Sequence, residues 1–142
     1  MALRHDGLGF LLADVSRMMR KAFQQRLEGS ALTLAEARAL VYVSRHEGVR
    51  QIELAELLEV QPITLARLID KLEQAKLVER RADPSDRRAY RIFLTRGAAP
   101  RLEAIEKVAA AVRAAALRDI GKEQAAITLS ALAKMRDNLA AR

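Results

Sequence analysis

The stretch ERRADPSDRRAYRIFLT (Glu79–Thr95) decides how this chain is read. Five arginines, Arg80, Arg81, Arg87, Arg88 and Arg91, fall within twelve residues. They flank Asp83-Pro84-Ser85-Asp86, whose Asp-Pro and Ser-Asp pairs favour a chain reversal. Beyond it, Tyr90, Ile92 and Leu94 alternate with Arg91 and Phe93, the period-two pattern of a strand with one face inward. Two strands, Leu77–Ala82 and Ala89–Thr95, are therefore expected as a hairpin. Exposed ion pairs within such a hairpin are worth only about 0–1 kcal/mol each, so stability alone gives little reason for five arginines. At its tip, Arg87 and Arg88 are of the residue type that fits a narrow, strongly negative DNA minor groove. Arg80, Arg81 and Arg91 lie further back, within reach of phosphates or of Asp83 and Asp86.

Working upstream, Pro62–Ala75 is expected as a helix, with Pro62 in the first turn, where its missing N–H leaves no bond unmade. At about 100° per residue, Leu65, Leu68, Ile69 and Leu72 fall on one face. Thr64, Arg67, Lys71 and Gln74 fall on the other. A plain solvated surface helix shares that pattern, but a hydroxyl, two cations and an amide also suit base edges and phosphates in a major groove. A short helix over Ile52–Leu58 precedes it across a tight link. Two helices and a hairpin in this order make a winged helix-turn-helix.

Further out, Leu8–Leu27 carries an apolar stripe at helical spacing. A second helix starts at Thr33 with the capping box TLAE and ends at Gly48. A long helix spans about Ala98–Ile120 with Pro100 in its first turns, and a last one spans Lys122–Ala140. The order is α-α-α-α-β-β-α-α, mainly α with a small β-hairpin wing. Three parts are expected in one intertwined unit: residues 1–32 and 97–142 as dimerisation helices, and 33–96 as the winged unit.

The composition agrees. The 142 residues carry a net charge of +7, of which residues 61–101 hold +5 (ten Lys/Arg against five Asp/Glu). That balance favours an anionic partner. Aromatic residues make up 4% and Trp is absent, a poor supply for stacking on single strands. There is no cysteine, and His5 and His46 lie in no metal-binding spacing, so neither metal nor cofactor is expected. The chain has no GxSxG, P-loop or GxGxxG motif, and no enzyme activity is expected. No apolar run is long enough to span a membrane, and the opening residues lack a signal-cleavage pattern, so a cytoplasmic location is expected.

The stretch QIELAELLEVQPITLARLIDKLEQAKLVERRADPSDRRAYRIFLT (Gln51–Thr95) resembles the multiple-antibiotic-resistance regulator (MarR) family, and most its SlyA branch. The frame of KLVERR, DPSDRRA and the closing LT carries the resemblance. It implies a bacterial homodimeric transcription regulator, with the Pro62–Ala75 helix in the major groove and the hairpin tip in the minor groove. By the same resemblance the wing-tip arginine falls on Arg88, braced by Asp86, and the basic position of the recognition helix on Arg67. Gln61 stands where relatives often place Ser or Thr; it is carried as a weak cap or phosphate contact.

Three apolar-striped helices outside the winged unit favour a symmetric dimer, which would place two recognition helices roughly 34 Å apart on a pseudo-palindrome. The family resemblance further implies release from DNA by a small aromatic acid or phenol, for which Arg17 and Arg38 are candidate cations. The competing reading is a winged-helix interaction module docking on an acidic protein partner. Against it, the exposed face of the fourth helix lacks an aromatic or aliphatic anchor.

Overall fold

The local signals settle most of the helix boundaries in the computed structural model, which describes residues 7–141. Its elements are α1 (Leu8–Leu27), α2 (Leu34–Arg45), β1 (Val49–Arg50), α3 (Gln51–Leu58), α4 (Pro62–Gln74), β2 (Val78–Asp83), β3 (Asp86–Leu94), α5 (Ala99–Ala116) and α6 (Lys122–Ala140). A 3₁₀ turn, Arg96–Ala98, leads into α5. Thr33 caps α2: its hydroxyl oxygen accepts from the Glu36 N–H at 3.1 Å. The return half of the capping box differs from expectation, because the Glu36 carboxylate meets the Thr33 hydroxyl at 3.0 Å instead of the Thr33 amide.

The hairpin belongs to a three-stranded antiparallel sheet of order β1-β3-β2. The third strand, unforeseen from sequence, is a two-residue piece that pairs Val49 with Ile92 and Arg50 with Arg91. Two residues are too few to show a period. What places them is the turn before them. Gly48 adopts φ +83, a region that glycine enters without the Cβ clash, and its N–H donates to the Ile92 carbonyl at 3.0 Å. A Cβ at Gly48 would also stand 3.3 Å from two ring atoms of Phe93.

Helices α3 and α4 close in the same way. At α4, the Lys76 N–H donates to the Glu73 carbonyl and the Leu77 N–H to the Leu72 carbonyl; at α3, Glu59 donates to Glu56 and Val60 to Ala55. This is the paired closure of a Schellman turn, and it needs a left-handed residue at its centre. Glu59 (φ 56) and Lys76 (φ 61) fill that place without being glycine. The first turn aims the chain into α4 and the second aims it into β2.

The core lies where α2, α3 and α4 meet the sheet. Leu40, Val43, Leu54, Leu65, Ile69, Leu72, Val78 and Ile92 are fully enclosed, and Ile105 brings α5 against them. The four-residue apolar face expected of α4 is present, with Leu68 half-buried and the other three buried. The expected long helix ends earlier than Ile120. Helix α5 stops at Ala116, Asp119 turns left-handed (φ 63), and Gly121 becomes the N-cap of α6 rather than the stop of α5. An aspartate tolerates that backbone region better than most side chains, so it supplies the bend. Helix α6 buries none of its residues in the single chain.

Two substitutions test this account by chemical denaturation. Lys76→Gly relieves the left-handed strain and raises stability by about 0.5–1 kcal/mol. Ile69→Ala opens a cavity under α4 and lowers it by about 2–5 kcal/mol.

Candidate nucleic-acid interface

The buried face of α4 leaves the opposite face outside. Gln61, Thr64, Arg67, Lys71 and Gln74 are all exposed there. Gln61 is the N-cap residue, and its side chain makes no capping bond.

The wing divides its arginines by strand register. Arg80 pairs with Ile92 and therefore shares the inner face; Arg81 pairs with Arg91 on the outer one. Arg80, expected to be available to phosphate, instead reaches back to the helices. Its guanidinium contacts Asp70 at 2.7 Å and Glu73 at 3.1 Å. It also donates to the Ala66 carbonyl at 2.9 Å and to the Gln51 side chain at 2.9 Å. Its side chain keeps only 16% of its surface exposed. Register is the cause: an inward-facing arginine beside Ile92 must find acceptors on the helix it faces. Arg80 thus pins the wing to α4.

On the outer face Arg81 lies over the Phe93 ring, 3.9 Å from its centroid, and pairs with Glu79. Arg91 donates to Asp83 and to the Gly48 carbonyl, each at 3.1 Å. Asp83 is buried and acts as a hub. It accepts from Arg50 at 2.8 Å as well as from Arg91, and its second oxygen accepts from the Ser85 N–H and hydroxyl. Bonding from Ser85, backbone first and then side chain, with Arg50 and Arg91 adding attraction against desolvation, lowers its carboxyl to about 2. Arg50 went unnoticed in the sequence because its partner lies 33 residues away.

At the tip, Asp86 accepts from the backbone N–H of Arg88 at 3.0 Å. The brace expected of Asp86 therefore acts on the turn backbone rather than on the guanidinium. Arg87 and Arg88 are exposed. Together with Arg67 and Lys71 they form no ion pair among the described residues, in contrast to Arg50, Arg80, Arg81 and Arg91. Four cations on α4 and the wing tip are thus left uncompensated.

A separate cavity of about 640 Å³ opens between α1, α2, α5 and α6. Val15, Phe23, Tyr42, Ile105 and Leu129 contribute to its mainly apolar wall, and Arg38 reaches it together with Arg20 and Arg113. Arg17 does not line it; it is exposed and pairs with Asp14 at 3.3 Å.

Known proteins match this architecture. The description of the MarR family matches residues 32–90. The crystal structure of the transcriptional regulator PA3341 is 38% identical and superposes with a TM-score of 0.80, over 96% of this chain and 100% of that one. A crystal structure of MarR is 26% identical, with a TM-score of 0.83 over 98% of this chain and 95% of that one. A cysteine-to-serine mutant of MarR from E. coli, crystallised with operator DNA, is similar in fold at 23% identity and a TM-score of 0.71, over 90% of this chain and 92% of that one.

The Asp83 hub makes a pH-dependent contribution. Its folded pKa of about 2 lies below the unfolded value of about 3.9. The contribution is complete above about pH 4 and disappears as the pH falls towards 2. Asp83→Asn should therefore melt several degrees lower at pH 7. The gap to wild type should narrow between pH 4 and pH 2, as followed by circular dichroism.

Proposed function

We propose, for a chain that belongs to the MarR family and is a transcriptional regulator rather than an enzyme, that two copies bind a pseudo-palindromic DNA duplex. Helix α4 of each copy lies in the major groove and each wing tip in the adjacent minor groove. The observation that carries this reading is the division of the cations. Arg50, Arg80 and Arg91 are tied into the fold, while Arg67, Lys71, Arg87 and Arg88 form no ion pair among the described residues. Unpaired surface cations repel one another, and a phosphate backbone relieves that repulsion while releasing counterions. Thr64, Arg67, Lys71 and Gln74 face base edges and phosphates, with Gln61 at the helix entrance. Arg87 and Arg88 enter the minor groove, Asp86 sets the turn that aims them, and Arg81 and Arg91 border the backbone. Arg80 contributes from behind, by holding the wing at a set angle to α4. The MarR structure with operator DNA supports duplex DNA as the partner.

The dimer follows from the apolar surface of the remaining helices. Leu8, Leu11, Val15 and Met18 on α1, and Ile127, Leu129 and Leu139 on α6, are exposed in one chain. Apolar surface of that extent is normally covered, and a second copy covers it symmetrically. Residues 1–32 and 97–142 then dimerise and residues 33–96 bind DNA, in the cytoplasm. The cavity beneath suits a small aromatic acid or phenol, with Arg38 as counter-charge; its occupation would shift the two winged units relative to each other and release DNA.

In a mobility-shift titration on duplexes selected from random sequence, Arg67→Ala and Arg88→Ala should each weaken binding about tenfold. Replacing a phosphate-contacting cation should lower the salt slope by about one per half-site. Wild-type affinity from both variants would remove α4 and the wing tip as the reading surface. Stable capture of one acidic protein with no retention of DNA would favour the interaction-module reading instead.

Sedimentation of the wild type should give the mass of two chains, and Leu129→Glu should shift it towards one. Hydroxybenzoic acids should weaken DNA binding by the wild type and leave Arg38→Ala largely unaffected.

A further inference from the structure

One side chain on α4 does not match the polar face it lies on, and it corrects the expectation that this face carries no aliphatic group. Ile63 is the second residue of the helix and is 65% exposed. The helix meets its core requirement with Leu65, Ile69 and Leu72, so Ile63 is not needed for packing. A β-branched residue on an exposed helix position also lowers helix propensity slightly. It lies on the stripe of Arg67, four residues on, and beside Thr64. The exposed apolar residues of α1 and α6 belong to other elements.

The geometry points to Ile63 as a specificity-determining residue that packs against the C5 methyl of a thymine in the major groove. The inference rests on the DNA-binding reading given above and deepens it. Residues in the first turn of a recognition helix are the ones that approach base edges, and thymine is the base that presents an apolar group there. The amide and cations around Ile63 satisfy hydrogen-bonding groups; an aliphatic side chain satisfies only the methyl. Burying a group of that size is worth about fourfold in affinity per half-site.

The test uses a duplex selected by the wild-type protein from random sequence. Each thymine is replaced in turn by deoxyuridine, which removes the methyl and keeps every hydrogen-bonding group. Dissociation constants are then measured for wild type, Ile63→Ala and Thr64→Ser. One replacement per half-site should weaken wild type about fourfold, have no effect on Ile63→Ala, and keep its effect on Thr64→Ser. Ile63→Ala is expected to fold normally, since the residue is exposed and alanine favours the helix, and its retained binding to the unmodified duplex confirms this. A wild type indifferent to every replacement overturns the inference, as does an Ile63→Ala protein as sensitive as wild type. Loss of sensitivity in Thr64→Ser alone would transfer the contact to Thr64 and overturn it too. All three outcomes leave DNA binding itself intact. Failure to select any duplex would instead remove the parent reading together with this one.

Discussion

The arrangement depends on one packing constraint: α4 must bury Leu65, Ile69 and Leu72 while presenting cations on its other side. Burial of those side chains sets the rotation of the helix about its axis to within a fraction of a turn. Once that rotation is set, the directions of Thr64, Arg67 and Lys71 follow from helix geometry. The Schellman turns at Glu59 and Lys76 then set where α4 begins and how the chain leaves it. Arg80 completes the constraint by joining β2 to Asp70, Glu73 and the Ala66 carbonyl. Helix and wing are held as one body, as the proposed contact with two grooves requires.

Charge is distributed by the same logic. A net charge of +7 could have spread as diffuse self-repulsion. Asp83 absorbs two arginines, Glu73 and Asp70 absorb a third, and Glu79 with the Phe93 ring holds a fourth. Within α4 and the hairpin strands, the cations left without an ion pair among the described residues are Arg67 and Lys71 on the outward face of α4 and Arg87 and Arg88 near the wing tip. Acidic residues therefore act here as selectors: they decide which cations belong to the fold and which face a partner. Asp86 selects differently, by bonding the Arg88 backbone and leaving its side chain outward.

The terminal helices obey hydrophobic bookkeeping rather than electrostatics. Helix α1 packs on α5, and α5 on the winged unit through Ile105. Helix α6 lies beside them with Leu132 and Met135 half-buried and Ile127, Leu129 and Leu139 exposed. The cavity between these helices and α2 is walled by Ile105 and Val112 of α5 and by Leu129 and Leu132 of α6.

Sequence alone determined the features that depend on near neighbours. The amphipathic period of α4, the Thr33 cap, the turn at Asp83–Asp86 and the alternation of Tyr90, Ile92 and Leu94 are each written within a few residues, because helix, cap and turn chemistry act over that range. They sufficed for the winged architecture and for the buried face of α4 that leaves Thr64, Arg67, Lys71 and Gln74 exposed. Only the tertiary structure decided which arginines are available. Arg80 and Arg88 are alike in sequence, but strand register turns one towards acceptors on α4 and leaves the other at an open tip. Strand β1 and the Arg50–Asp83 contact, 33 residues apart, arise when distant segments converge, and no local period encodes that meeting. Ile63 shows the converse: the expected apolar face of α4 did not include it, and only the fold shows an aliphatic side chain standing exposed among polar ones.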